Sequence, residues 1–597
     1  MADQHAPALE RRTSSVLPAQ ASPCDALVIR TQALSLVHPC RRKKLALAAT
    51  ILGSSMAFID GSVVNVALPS IQSELHASVA AIQWVVDAYL LFLGALVLVG
   101  GSLGDKLGRR TVFIAGIGLF TLASIGCGLA PGAAALIAAR AVQGVGAALL
   151  VPSSLAIIGA VFDDKARGQA IGTWAGVGAI TSALGPVAGG WLVDAFSWRA
   201  IFFLNVPIAC ATVALAVIAV PNSRQDDEDP PVRASADAAA LSHPASSRAE
   251  HVSARLDWPG AATATAGLAA LTYGLTLASA RGFGDRWVLA SILGGLLVLI
   301  AFVALEARSH NPMVPLDVFR SRDFVGANLV TLLVYFGLGG ALFFLPFTLI
   351  RAYGYSATQA GAALLPVPVT IGLLSRFTGG LTSRFGARAL LSAGPAVAAA
   401  GFAMLALPWV HGEYWRGFLP ALAVLGLGMT ITVAPLTTTV MTSVSAARTG
   451  VASGINNAVA RVASLLAIAV LGIVFVWSHD TALEARLDAL HVPQAARAAA
   501  SLARVGMGAD AAPPAAGAGT PDGKSDGARA AGTQKQAEAT RDAAQSQQEA
   551  ARVQPDLARA QAEALGAALR AVALVSALCA LAGAALAALT ISPQRRL

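Results

Sequence analysis

Arg140 lies within an apolar run, Ala133 to Ile158, that carries no other charge and is long enough to cross a bilayer. A charge at that depth costs about 2.5 to 3.5 kcal/mol on insertion scales, so it needs an offsetting interaction. Gln143, Gly144 and Ala147 follow at helical spacing and share one face with Arg140. This face predicts a polar pathway through a helix bundle, with Gln143 as a cavity residue. The alternative is a structural tie from Arg140 to a neighbouring carboxylate or carbonyl.

Three other ionisable residues within apolar runs are candidates for a role in transport. Asp60 lies deep in the first run, and Asp87 shares a face with Gln83 toward one end of the second. Enclosure in a low-dielectric cavity favours the neutral form of a carboxyl group, so each acid can load and release a proton. Solvation near the surface is the alternative for Asp87, and a structural role is the alternative for Asp60. Arg461, about one turn after Asn456, is a cavity candidate that can instead pair with an acid or be structural.

The composition is that of a polytopic membrane protein. Of 597 residues, 56% are hydrophobic and 13% are charged, whereas soluble chains carry about 25% charged residues. The net charge of +9 sits in short gaps beside apolar runs, so loop bias explains it and nucleic acid is not expected as a partner. The five cysteines form no CxxC pattern and predict neither a disulfide framework nor a metal site.

Fourteen apolar runs are long enough to cross the membrane. They cover approximately 46–69, 81–103, 111–130, 133–158, 169–193, 200–220, 258–280, 287–305, 323–350, 357–381, 388–408, 417–442, 449–477 and 567–590. Placing both termini in the cytoplasm of a bacterium puts most basic loop residues inside, as the positive-inside rule requires. We call that side the predicted cytoplasmic face and the opposite side the predicted outer face. Seven tryptophans fall near predicted outer ends as interfacial anchors: Trp84, Trp191, Trp198, Trp287, Trp409, Trp415 and Trp477.

The runs divide the chain into an all-α arrangement of two bundles. We predict a cytoplasmic tail over 1–45, a six-helix bundle over 46–220, a cytoplasmic linker over 221–257, two additional helices over 258–305 and a second six-helix bundle over 306–597. Within the last part, residues 478–566 form an extracytoplasmic low-complexity insertion, favoured as an extension without a transport role. Good helix formers from Thr533 to Ala568 predict a surface helix there.

A short loop joins the second and third runs and combines glycines with opposite charges. Its key residues are Gly101, Gly104, Asp105, Gly108, Arg109 and Arg110. Glycines permit the tight reversal, and the charges can lock one conformation by pairing and release it in another. An ordinary positive-inside loop is the alternative. The stretch from Gly379 to Arg388 echoes this loop, as parallel repeats would.

The fifth run is rich in glycine: Gly178, Gly185, Pro186, Gly189 and Gly190. Gly185 and Gly189 form a GxxxG face that lets two helices approach closely. We interpret it as a tight seam between helices that move against each other.

Together these stretches resemble the major facilitator superfamily, and within it the fourteen-span drug:proton antiporter family of the EmrB/QacA type. The matching stretches are Phe58 to Pro69, Trp84 to Leu91, Gly101 to Arg110, Arg140 to Gly146, Gly185 to Gly190, Ser197 to Arg199, Asn205 to Pro207, Tyr355 to Gly361 and Gly450 to Asn457. The resemblance covers about 46–477 and the last span. One departure follows Arg461, where Val-Ala-Ser-Leu-Leu-Ala stands in place of the glycines usual in relatives.

The resemblance implies alternating access around a central cavity, with proton influx driving export. By it, Asp60 matches the first-helix acid, Arg140 matches the fourth-helix arginine linked to proton coupling, and Asp105 and Arg109 match the gating loop. The expected function is a proton-driven exporter of amphipathic or cationic small molecules, without a cofactor. A dedicated exporter of one metabolite or siderophore and a non-transporting sensor are the alternatives. No catalytic motif indicates an enzyme, and a periplasmic adaptor protein is a candidate partner.

Overall fold

The computed structural model describes residues 42–162, 164–221, 257–309, 312–407, 413–445, 448–489 and 529–592, without the side chains of several positions that include Asp105 and Arg376. Within these ranges the chain forms helices and no β-strand. Fourteen helical segments are long and apolar enough to cross a membrane, which confirms the predicted number. The protein is therefore a multi-pass membrane protein.

The N-terminal half supplies six spans. They are α1 (Lys43–Leu75), α2 (Val79–Leu107), α3 (Arg109–Gly128), α4 (Ala133–Val161), α5 (Asp164–Ala195) and α6 (Asn205–Ala219), the last preceded by a helical turn over Ala200–Phe203. Helix α4 packs against α2 and α3, and α5 packs against α1. The buried charge of Arg140 in α4 is thereby surrounded by other helices rather than by lipid.

Two further spans, α7 (Trp258–Arg281) and α8 (Arg286–Arg308), pair with each other. Helix α7 also contacts α2 and the long thirteenth span, so the pair lies beside the junction of the two halves. Only a small part of α8 is buried, and apolar side chains such as Leu297 and Ile300 are mostly exposed. Helix α8 therefore presents an apolar surface that suits lipid.

The C-terminal half contains the remaining spans. They comprise α9 (Arg322–Tyr353), α10 (Ala357–Ala363) followed by α11 (Pro366–Phe385), α12 (Ala387–Leu405), α13 (Leu419–Thr442), α14 (Thr449–Ala489) and α15 (Arg529–Thr590). The tenth predicted run is thus two helices, interrupted before Pro366, whose missing N–H cannot continue a helix ladder. The last span packs against α9, α12 and α14 and belongs to this half.

The predicted end of the thirteenth span and the predicted start of the last one are corrected by the structure. Helix α14 continues from residue 477 to Ala489, and α15 begins at Arg529. Leu483 and Leu487 pack against Ala560 and Ala564, so the two extensions have a small apolar core of their own. The helix predicted from Thr533 to Ala568 is present as part of α15, and residues 490–528 of the predicted insertion lie outside the described residues.

Trp198 is a second correction. It was predicted to anchor at the membrane interface, but it is buried. Its Nε1 donates a hydrogen bond of 2.6 Å to Glu74. Trp191, Trp287, Trp415 and Trp477 are exposed as anchors should be, and Trp409 lies outside the described residues.

Candidate functional site

A buried ion pair joins the first and fourth spans. Nη1 of Arg140 donates to Oδ2 of Asp60 at 2.5 Å, and the two side chains are 1% and 0% exposed. Helix α1 brings Asp60 to the middle of the N-terminal half, where α4 supplies the arginine. Two buried opposite charges in this geometry offset part of each other's desolvation cost.

Polar groups complete the surroundings of this pair. Gln143 accepts from Arg140 at 2.7 Å through Oε1 and donates to Asp60 Oδ1 at 2.8 Å through Nε2. Ser124 receives hydrogen bonds from Gln143 at 3.2 Å and from Asn205 at 2.9 Å. The network therefore spans α1, α3, α4 and α6, and both carboxylate oxygens of Asp60 are hydrogen-bonded.

Arg140 also contacts the second span in two ways. Its Nε donates to the carbonyl of Val85 at 3.0 Å, and its guanidinium carbon lies 4.2 Å from the ring centroid of Tyr89. Gly144 makes this approach possible, since a β-carbon there would lie 2.6 Å from the Tyr89 carbonyl. The face of Arg140, Gln143 and Gly144 is thus packed against helices, and the prediction that it borders the cavity is corrected.

A central cavity of about 450 Å³ lies between the two halves. Its walls are largely apolar, and its polar groups come from both halves: Ser62, Asn65, Tyr89, Ser182, Tyr335 and Arg461. None of the described residues that line it is acidic. Neither Asp60 nor Arg140 lines the cavity, whereas Tyr89 both lines it and stacks on Arg140.

Of the three cavity candidates, only Arg461 lines the cavity. Gln143 is a correction because it is enclosed in the Asp60 network. Asn456 is a second correction, since its amide donates to Asn328 at 3.1 Å and to Thr331 at 2.6 Å and thereby ties α14 to α9.

Asp87 is fully buried and stands apart from the ion pair. Neither of its carboxylate oxygens has a hydrogen-bond partner among the described residues, so the alternative of a solvated surface acid does not hold in this conformation. Asp87 shares a helical face with Gln83 and Gly94. Gln83 donates to Ile468 at 3.2 Å, and Gly94 touches Arg461. Asp87 therefore lies on the face of α2 that meets α14 of the other half.

The two halves are joined toward the predicted outer face. Asp194 at the end of α5 accepts from the backbone N–H of Ala357 at 3.1 Å and of Thr358 at 2.8 Å, and also from the Thr358 hydroxyl. Arg351 donates to the carbonyl of Pro69 at 3.0 Å. We call this set of contacts the outer seal.

Comparison with known proteins identifies the family. The sequence model of the Major Facilitator Superfamily matches residues 50–468. The chain belongs to this superfamily. It is 33% identical, over 75% of this chain and 79% of the relative, to the multidrug resistance protein Stp of Mycobacterium tuberculosis. It is 35% identical to the cephamycin export protein CmcT of Amycolatopsis lactamdurans over 71% of this chain and 84% of that one.

The fold agrees with solved transporters of low sequence identity. A bacterial homologue of the human lysosomal transporter Spinster, in an inward-facing and unoccupied conformation, has a TM-score of 0.55 and 16% identity, covering 92% of this chain and 98% of that one. A peptide transporter, POT, has a TM-score of 0.52 and 14% identity over 76% and 98% of the two chains. These likenesses concern the fold alone.

In this Major Facilitator protein the glycines of α5 make close contacts on two sides. A β-carbon at Gly178 would meet the Phe58 ring, and β-carbons at Gly185 and Gly189 would overlap α1. A β-carbon at Gly190 would overlap the Ala357 carbonyl of α10, which belongs to the other half. Pro186 lines the cavity. The predicted close seam is therefore an α5–α1 seam whose outer end also reaches α10.

The Gly101–Arg110 loop is a tight junction between α2 and α3. Gly108 has φ +100°, a conformation that glycine adopts readily. Arg109 is buried, and Arg110 donates to the carbonyl of Val220 at 3.3 Å. Gly101 and Gly104 face Pro152 and Ser153 of α4, while the side chain of Asp105 lies outside the described residues. Gly386 is the counterpart of Gly108 in the stretch from Gly379 to Arg388, and its φ is +80°. Both repeats therefore place a glycine with positive φ between two helices.

Sequence reasoning missed the roles of Tyr89, Ser124 and Asn205. The position of Tyr89 in the sequence, two residues after Asp87, does not show what its ring contacts. The contact with Arg140 follows only from the packing of α2 against α4. Asn205 was quoted as part of a family stretch without a role, and Ser124 appears as an isolated hydroxyl in an apolar run. Their common signal was a polar residue in a membrane span, which predicts an internal partner.

Proposed function

We propose that this protein is a proton-driven exporter of amphipathic small molecules, working by alternating access. The observation that carries the proposal is a cavity between two halves joined at the outer seal, with the buried Asp60–Arg140 pair directly behind its wall. Relatives that carry the names multidrug resistance protein and export protein support it. The resemblance to the fourteen-span antiporters supports the coupling to protons.

Proton coupling follows from what neutralisation does to the buried pair. When Asp60 is ionised, its charge balances that of Arg140. When Asp60 takes up a proton, Arg140 keeps the Val85 carbonyl, the Gln143 oxygen and aromatic rings around an uncompensated charge. A buried cation without its anion is costly, so protonation favours a rearrangement of α4 against α2. We assign Asp60 as the proton carrier and Arg140 as the group that responds to its charge.

Asp87 is the second acid in this scheme. An ionised carboxylate without hydrogen-bond partners at a buried position is costly, so Asp87 needs water or a counter-charge before it can carry a charge. The same face of α2 meets α14 at the junction of the halves. Opening of the outer seal would bring water to this junction and allow Asp87 to ionise. Asp87 thereby couples the protonation state to the contact between the halves.

Conformational change follows from the packing of the seal. Gly190 and Gly361 allow α5 and α10 to touch through backbone atoms, and the loop at Gly108 is the corresponding hinge region on the predicted cytoplasmic face. We propose that the protein lies in the bacterial cytoplasmic membrane with both termini inside. The proton gradient is its energy source, without a cofactor, and a periplasmic adaptor is a candidate partner. A dedicated exporter of one metabolite would use the same machinery.

The proposal is tested by transport into everted membrane vesicles that contain the protein. Respiration-driven acidification of the vesicle interior should drive accumulation of amphipathic dyes, and a protonophore should abolish it. Asp60→Asn should remove this accumulation while the protein remains inserted. Glu413→Gln, a change of an exposed side chain, is the matched control and should transport normally. Undiminished gradient-driven accumulation by the Asp60→Asn protein would overturn the proton-carrier assignment.

A further inference from the structure

Arg461 is the one cationic residue among the described residues that line the central cavity. It projects from α14 in the C-terminal half, and a β-carbon at Gly94 of α2 would lie 3.3 Å from its β-carbon and 3.9 Å from its Cδ. The missing side chain at Gly94 thus makes room for the aliphatic stem of Arg461 at the junction of the halves. The stem is held against α2, and the residue lines the cavity.

No acid neutralises this arginine within the described part of the chain. Its Nε is buried without a hydrogen-bond partner, and no described carboxylate forms an ion pair with it. The Asp60 carboxylate is engaged by Arg140 and Gln143. Asp87 is not among the residues that line the cavity. As far as its described lining goes, the cavity therefore has a positive charge without a counter-charge.

Two further polar atoms of cavity-lining residues also lack hydrogen-bond partners within the part of the chain that the structure describes. The hydroxyl of Tyr89, a residue that is 2% exposed, has none, and neither does Oδ1 of Asn65. Both residues line the cavity together with Arg461. A buried polar atom without a partner is costly, whereas a ligand that satisfies it gains that energy. The residues around the cavity thus supply a cation, a hydroxyl donor and an amide acceptor within apolar walls, and a rotation of the Tyr89 and Asn65 side chains would turn the last two toward a ligand.

We infer that the cavity selects amphipathic molecules that carry an anionic group, with Arg461 as the anion-binding residue. The inference rests on the proposed export function and narrows its substrate class. A carboxylate or sulfonate would accept hydrogen bonds from the Arg461 guanidinium and from the Tyr89 hydroxyl, while the apolar body of the molecule lies against Leu338, Leu342 and Met429. A cationic ligand would meet the charge of Arg461 with no acidic side chain in the described wall to offset it. Charge-assisted hydrogen bonds of this kind are the stronger ones.

The test uses the full-length protein in lipid nanodiscs without a proton gradient. Two fluorescent probes share the anilinonaphthalene body: anilinonaphthalene sulfonate is anionic, and phenylnaphthylamine is neutral. Ethidium serves as the cationic probe, and empty nanodiscs give the lipid background. Wild-type protein should bind the sulfonate about tenfold more tightly than the neutral probe, a factor that corresponds to roughly 1.4 kcal/mol.

Substitutions at Arg461 separate a binding role from a structural one. Arg461→Gln should weaken sulfonate binding about tenfold or more and leave binding of the neutral probe nearly unchanged, since only the charge contact is lost. Arg461→Lys should retain most of the sulfonate preference. Tyr89→Phe should weaken sulfonate binding to a smaller extent. If Arg461→Gln does not fold, the test rests on whether the wild type prefers the sulfonate to the neutral probe and whether Arg461→Lys keeps that preference.

Three outcomes would overturn the inference. They are equal loss of both probes in Arg461→Gln, absence of a sulfonate preference in the wild type, and tighter binding of ethidium than of the sulfonate. The outcome is separable from that of the proposed function. Selective sulfonate binding without any gradient-driven transport would contradict the proposed export function and leave the proposed anion binding in place. Gradient-driven export of ethidium by a protein that ignores the sulfonate would remove this inference alone.

Discussion

The guanidinium carbon of Arg140 lies 4.2 Å from the ring centroid of Tyr89, and Tyr89 is also part of the cavity wall. The aromatic ring of Tyr89 thus lies between the Asp60–Arg140 pair and the cavity, in contact with Arg140 on one side and part of the cavity wall on the other. A ligand that displaces the ring changes the surroundings of Arg140 without reaching it. This contact gives a physical route by which substrate and proton can influence one another.

The first prediction concerns the two parts of Tyr89. Tyr89→Leu should lower the free energy of unfolding by about 2 kcal/mol because a desolvated cation–π contact is lost. Tyr89→Phe should be close to neutral, since it keeps the ring and removes a hydroxyl for which the described residues provide no partner. Thermal unfolding in one detergent measures both variants. Equal destabilisation by leucine and phenylalanine would show that the stacking on Arg140 contributes little.

The second prediction concerns the Asp60–Arg140 pair. Asp60→Asn and Arg140→Gln should each destabilise the protein by about 3 to 5 kcal/mol, because each leaves one buried charge uncompensated. The double variant should be less destabilised than the sum of the two, since it buries no charge. Thermal unfolding of all four proteins completes the cycle. Simple additivity would contradict a direct charge pair, because groups that interact show a coupling energy.

The number of spans was predictable because hydrophobic length alone decides whether a segment crosses a bilayer. The depth of Arg140 and of Asp60 was predictable for the same reason, and a buried charge requires a partner. The sequence did not decide whether these two side chains contact each other, because Arg140 could either face a cavity or pair with a neighbouring carboxylate. The placement of Gln143 was predicted wrongly because helical spacing fixes which residues share a face but not what that face meets.

The outer seal illustrates a second limit. It depends on the close approach of Gly190 to Ala357 and on the hydrogen bonds that Asp194 accepts at the start of α10. In those hydrogen bonds Asp194 is 163 and 164 positions away from its partners in the sequence. The sequence indicated only that α5 packs closely with some helix. Helix α14 likewise continues beyond its apolar run because Leu483 and Leu487 find alanines of α15 to pack against. Such long-range partners are not encoded in local periodicity.

The third prediction concerns the seal itself. Gly361→Ala places a β-carbon against the carbonyl of Pro186, so the closed outer contact should be strained and the open conformation favoured. Spin labels at Ser73→Cys and Glu413→Cys, one in each half and in a background without other cysteines, report the distance across the outer face. The variant should shift this distance distribution to longer values.

Gly176→Ala is the matched control for this experiment. Gly176 lies on α5, and a β-carbon there would meet nothing within 4 Å. It should leave the distance distribution as it is in the wild type. A similar shift in both variants would mean that glycine loss in general, and not contact at the seal, changes the conformation. An unchanged distribution in Gly361→Ala would exclude the seal as the element that controls opening.

The fourth prediction concerns an ion pair outside the membrane spans. Arg448, before α14, donates to the Asp317 carboxylate in the segment before α9, and this hydrogen bond lowers the pKa of Asp317 below its ordinary value. A group whose pKa is lower in the folded state adds stability above its unfolded pKa, and this contribution disappears as the pH falls through the folded pKa.

Asp317→Asn should therefore lower the Tm at neutral pH, and the difference from wild type should shrink below about pH 3.9, the ordinary pKa of aspartate. Both side chains are more than 40% exposed, so the effect should be small and should diminish with added salt. Arg448→Gln should reproduce it, and a Tm difference that is independent of pH would show that the contact is not ionic.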